Sequence, residues 1–140
     1  MTLTTLSQNK CFGGTQTVYS HQSTSTKTEM QFAVFLPAEA EHAPVPALVY
    51  LSGLTCTWEN FTVKAGAQQW AARHGLAIIA PDTSPRGADV PDDDNYDMGQ
   101  GAGFYLNATK APWNSHFHME DYVSRELPAL MGNNLPVDMD

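Results

Sequence analysis

The chain has 140 residues, 42% of them hydrophobic, enough for one domain with an apolar core. Its 7 Lys+Arg stand against 15 Asp+Glu, a formal net charge of -8, which repels phosphate backbones and anionic lipid and argues against nucleic-acid and membrane partners. No apolar run reaches a membrane span, and MTLTTLSQNK lacks the apolar stretch of a signal peptide, so a soluble, cytoplasmic protein is expected.

In chain order, Thr15–His21 and Glu29–Leu36 read as two antiparallel strands at a sheet edge, with Met30, Phe32 and Val34 on one face. Pro37, Pro44 and Pro46 bound a polar loop. Ala47–Leu51 is a short continuous apolar run, expected as a strand buried on both faces. Asn60–His74 has helical spacing, with Arg73 and His74 suited to a helix C-terminus and Gly75 to the residue beyond it. Leu76–Ala80 is the second buried-strand candidate, and strand, helix and strand together predict a βαβ unit. A long irregular stretch, Thr83–Ser115, follows. Met119–Met131 is predicted as a helix that Pro128 kinks or ends, and 133–140 reads as a turn leading towards another strand.

The chemistry-bearing stretches have bland readings too. Ser52-Gly53-Leu54-Thr55-Cys56 is either a tight β-to-α turn, with Thr55 or Thr57 capping the helix, or an oxyanion loop. In the second reading Gly53 lets the backbone turn and the Leu54 N–H is the donor. Asp82 and Arg86 are expected to brace a loop rather than to catalyse. Gly99–Gly103 (GQGAG) lacks a preceding strand and a following Lys-Ser/Thr, so a close-packed loop is favoured over phosphate binding. His116 and His118 with a nearby carboxylate look metal-like, but no further ligands are evident, and Asp92-Asp93-Asp94 lacks EF-hand spacing; no metal is expected. Cys11 and Cys56 are expected as free thiols. The sequons at Asn60 and Asn107 carry little weight without a secretion signal.

Lys10-Cys11-Phe12-Gly13-Gly14, LSGLTCT (51–57), APDTSPRG (80–87), GQGAGFYLNAT (99–109), APW (111–113) and ELP (126–128) together resemble the S-formylglutathione hydrolase, or esterase D, family. The resemblance runs from about Lys10 to Asp140. It implies an α/β-hydrolase fold, with residues 1–140 as the N-terminal portion of a single domain: edge antiparallel strands plus βαβ. It also implies thioester hydrolysis of S-formylglutathione to glutathione and formate by a Ser-Asp-His triad, no cofactor, and a homodimer. Leu54 aligns with the family's oxyanion-hole residue; Gly53, Thr55 and Cys56 would shape the substrate site, Cys56 not being the nucleophile. The family's nucleophile sits in a Gly-His-Ser-Met-Gly-Gly elbow after the position of Asp138, and no G-x-S-x-G occurs in these 140 residues. The 140 residues alone are therefore expected to be inactive. The alternatives are a broad carboxylesterase and a non-catalytic half-fold that binds a partner.

Overall fold

The computed structural model describes residues 2–140. The strands are β1 (Thr4–Cys11), β2 (Gly14–Gln22), β3 (Glu29–Leu36), β4 (Val45–Val49), β5 (Ala77–Pro81) and β6 (Val137–Asp138). They form one sheet in the order β1-β2-β3-β5-β4-β6. β1 to β3 are an antiparallel meander, β3 is antiparallel to β5, and β4 runs parallel to both β5 and β6.

Alternation along β3 decides how the sheet is covered. Met30, Phe32 and Val34 join Tyr19 and Ile79 on the expected common face, beneath Tyr122, Leu127, Leu130 and Met131. Phe35 and Ile78 face the other way, against Phe61 and Ala71. Helices thus cover both faces of a mixed sheet, the α/β class read from the sequence.

The predicted helix Asn60–His74 is two helices, α1 (Trp58–Lys64) and α2 (Gln68–His74). The break falls at Gly66, whose φ of 63° leaves the right-handed region. Thr57, not Thr55, caps α1. Its hydroxyl accepts from Glu59 N–H while Asn60 accepts from Thr57 N–H. Gly75 ends α2 in the left-handed conformation, as expected.

The later helix also differs from expectation. After α3 (Met119–Asp121) the chain makes a π-turn over Tyr122–Glu126 and continues as α4 (Leu127–Asn134). Pro128 does not end it. The wider turn lies just where proline's ring and missing N–H would disrupt an α-helix, and Pro128 then stands in the first turn of α4.

Two strand readings need correction. β1 went unrecognised, because all but its last residue are exposed and no apolar periodicity marks it. β4 is not buried on both faces. Leu48 is 47% exposed, and Tyr50 and Leu51, which the sequence reading included but which lie past the end of β4, are 42% and 41% exposed. Among the described residues, β6 pairs only with Val45 and Pro46, and no strand lies beside the outer edge of the chain beyond Pro46. β5, flanked by β3 and β4, is buried throughout.

Candidate active site

β4 delivers the chain to Ser52 at the carboxyl end of the parallel strands, where open α/β sheets place their ligands. Cys56 N–H donates to Gly53 O at 3.3 Å, closing a four-residue turn. Thr55 is its third residue and has φ 67°. That is the type II arrangement, in which glycine or asparagine normally takes the left-handed position. A β-branched residue there is a true outlier, the kind of strain found at ligand sites.

Several other polar backbone groups of this turn are tied down. Tyr105 Oη donates to Ser52 O. Thr55 N–H donates to Gly101 O at 2.8 Å. Cys56 O accepts from Thr83 Oγ1 at 2.6 Å and from Arg86 Nη2 at 3.1 Å. Thr57 N–H is used by the helix cap. Among the described residues, the N–H groups of Gly53 and Leu54 have no acceptor. Two adjacent N–H donors thus stand without a protein acceptor on a turn strained at Thr55, a corner whose donors an anion could use.

Asp82, buried at the end of β5, holds the Arg86 Nε–H through both oxygens at 2.9 and 3.1 Å. This is the bracing pair expected from the sequence. Gly99–Gly103 is the expected close-packed loop. A Cβ on Gly103 would stand 3.0 Å from that of Thr83, and Gly101 N–H donates to Ser84 Oγ at 2.7 Å. Ser84 is buried and spent on this contact and on Pro85 O. The ring nitrogens of His116 and His118 bond the carbonyls of Thr26 and Asn114. Among the described residues, no group of three His, Cys, Asp or Glu side chains is placed for a metal ion. Asp92 Oδ1 shapes its own loop, accepting from Asp93 and Gln100 N–H. Cys11 and Cys56 are free thiols, and burial pushes that of Cys11 up.

Gly53 does not do what the sequence suggested. The left-handed residue is Thr55, and a Cβ on Gly53 would meet nothing within 4 Å. Gly53 is needed for the turn neither by torsion nor by protein contacts. Gly53→Ala is therefore expected to leave the chain as stable or up to about 1 kcal/mol more so, through a less flexible unfolded state. Urea unfolding reads this; a loss above about 1 kcal/mol contradicts the placement of Gly53.

Tyr105 and Thr83 escaped the sequence reading. Tyr105 lies 53 positions from the carbonyl it holds, in a loop without periodicity, and no local signal marks it. Burial, reinforced by the charges of Asp82, Cys56 and Tyr50, pushes its hydroxyl up to about 12, so it stays a donor across the physiological range. Tyr105 also lines an apolar groove of about 330 Å³ with Phe104, Leu106, Trp113 and Phe117. A second recess, about 270 Å³, opens directly on the turn between Tyr50, Gly53, Cys56 and Lys64.

Comparison with known proteins places this geometry. Residues 23–140 match the family described as "Putative esterase". The chain is 60% identical over 136 residues to an S-formylglutathione hydrolase of Paracoccus denitrificans, covering 97% of the chain and 49% of that protein. It is 55% identical over 139 residues to one from Rattus norvegicus, covering 99% and 49%. The solved S-formylglutathione hydrolase of Agrobacterium tumefaciens superposes with a TM-score of 0.94 at 52% identity, over 96% of this chain and 49% of that one. The sheet is accordingly part of an α/β-hydrolase fold, and the chain spans about half the length of the relatives it matches.

Proposed function

The chain belongs to the esterase family, and from that membership we propose that it supplies the oxyanion side of an S-formylglutathione hydrolase. The observation that carries this reading is the pair of unspent N–H groups at Gly53 and Leu54, at the carboxyl end of a parallel strand. Leu54 N–H is the oxyanion donor; Gly53 and Cys56 line the recess that receives the formyl thioester, and Thr55, through its left-handed φ, sets the turn beside it.

The register of β6 supports the placement of the missing partner. Val137 pairs with Val45 and Asp138 with Pro46, in parallel. A strand continued in that register runs alongside Ala47–Ser52, over the exposed Leu48 edge, and arrives beside Gly53–Leu54. A nucleophilic serine at the end of such a strand stands next to the donor that its intermediate needs. Serine Oγ gives its proton to the triad histidine as it attacks the formyl carbon, the C=O pair moves onto oxygen, and the N–H donors hold that charge. Collapse expels the glutathione sulfur, which takes a proton from the triad histidine. Water then attacks the formyl-serine, giving a proton to the histidine, which passes it to serine Oγ as the ester bond breaks and formate leaves. A cytoplasmic homodimer acting in formaldehyde detoxification completes the reading, supported by the sequence resemblance.

The test compares the protein at the relatives' full length with the 140-residue chain of verified mass. The full-length protein is expected to hydrolyse S-formylglutathione with a higher kcat/KM than a plain ester such as an aryl acetate. The 140-residue chain is expected to stay at background. Preference for the plain ester would instead mark a broad carboxylesterase. Turnover by the 140 residues alone would refute the serine assignment.

A further inference from the structure

Arg86 stands outside the anion corner, yet it reaches the corner's backbone. Its Nε–H is held by Asp82 at the end of β5, and its Nη2 donates to Cys56 O, the last carbonyl of the turn. Thr83, one residue beyond Asp82, donates to the same carbonyl. Arg86 Nη2 also reaches Thr83 Oγ1 at 3.3 Å, so the two donors hold each other. Thr83 is wholly buried and Asp82 nearly so, while the Arg86 side chain is about one third exposed. The other flank of the turn is closed by Gly101, whose carbonyl accepts from Thr55 N–H and beside which the Arg86 guanidinium lies close enough that a Cβ on Gly101 would meet it in ordinary contact at 3.6 Å.

We propose that Arg86 is the positioning residue of the oxyanion corner: its guanidinium transmits the fixed orientation of the β5 terminus to the Cys56 carbonyl and thereby holds the Leu54 N–H in its donating direction. This rests on the hydrolase reading for its kinetic consequence but not for its structural one. The fork geometry is essential. Arginine can satisfy a carboxylate through Nε while a separate nitrogen serves the carbonyl. Lysine carries one nitrogen and can serve Asp82 or Cys56 O but cannot bridge them with a rigid plane. The turn needs this hold because Thr55 sits in a left-handed conformation that a β-branched residue does not keep unaided.

The corner's integrity is read directly by amide hydrogen exchange at Thr55 and Cys56, whose N–H groups close the turn. In the 140-residue chain, Arg86→Met and Arg86→Lys are both expected to speed exchange at these two amides about tenfold, with Ile79 in the core of β5 unchanged. Thr83→Val, which keeps the volume and removes the second donor, repeats the measurement should the Arg86 variants fail to fold. In the full-length protein Arg86→Lys is expected to lower kcat about tenfold at unchanged KM, because the corner acts on the transition state. Unchanged exchange at Thr55 and Cys56 overturns the proposal, as does acceleration that Ile79 shares equally. Full kcat in Arg86→Lys also overturns it. A wild-type protein that hydrolyses no thioester refutes the hydrolase reading instead, and leaves the exchange result standing.

Discussion

Leu54→Pro is expected to lower kcat of the full-length hydrolase about 10²- to 10³-fold while leaving its melting temperature unchanged. Leu54 is the second residue of the turn closed by Cys56 N–H and Gly53 O, with the left-handed Thr55 third. Proline is favoured at the second position of type II turns, since its ring presets the required φ. Its N–H is the group removed, and among the described residues that N–H bonds no protein atom, so no internal hydrogen bond is lost. The preceding residue is Gly53, which tolerates the restriction proline places on its neighbour. The substitution therefore deletes one donor and little else. Loss of an interaction made only to the developing oxyanion should lower kcat and kcat/KM together and spare KM. Retention of full kcat would show that Leu54 is not the donor. A fall in KM-dependent binding alone would place the corner on the ground state.

The corner shows how far sequence reaches and why it stops. The turn was legible because small and polar residues interrupt an apolar strand at Ser52, and the covering helices because Asn60–His74 and Met119–Met131 carry apolar residues at helical spacing. Bracing by Asp82 and Arg86 was legible because opposite charges four positions apart in a Pro-rich turn have few other uses. What stayed hidden has two physical sources. One is distance along the chain: nothing near Tyr105 or Thr83 signals carbonyls 53 and 27 positions away. The other is torsion. Thr55 carries the positive φ in a turn whose flexibility the sequence reading attributes to Gly53, two residues earlier, because tertiary anchors override a local preference. β4 failed differently. Its apolar run predicts burial against a neighbour, and the neighbour present covers only Val45 and Pro46. The expectation of burial on both faces therefore does not hold for this run, although in the hydrolase reading its open edge is where a continued strand would lie.

Glu126→Gln is expected to destabilise the chain by about 3 kcal/mol at neutral pH, roughly 10 °C in melting temperature. Glu126 closes the π-turn and reaches a segment about a hundred positions earlier, the loop joining β2 to β3. Its Oε2 accepts from Ser23 Oγ and Ser25 N–H, both at 2.9 Å, and its Oε1 from Thr24 N–H at 2.8 Å. Both oxygens face donors, so a glutamine in either orientation turns its NH₂ against one of them. Burial pushes the Glu126 carboxyl up, but the hydrogen bonds from Ser25, Thr24 and Ser23 outweigh it and hold it below the usual glutamate range. The unfolded chain therefore takes up this proton first as pH falls. The stabilisation is complete at neutral pH and is lost as pH drops through the depressed value. His21 adds an earlier acid limb. Burial lowers its pKa from 6.5, against the opposing influence of the Glu126 charge and the Gln22 backbone. One ring nitrogen meets Tyr122 Oη at 3.0 Å and the other is buried without a partner, so protonation is resisted in the fold and free in the unfolded chain. Wild-type stability should thus begin to fall below about pH 6.5 and fall further below about pH 4.5. In Glu126→Gln the first limb persists and the second disappears. The deficit of the variant, read by urea unfolding, should narrow as pH approaches about 4. A deficit constant between about pH 7 and 4 would mean that the charge of Glu126 is not what holds the β2–β3 loop.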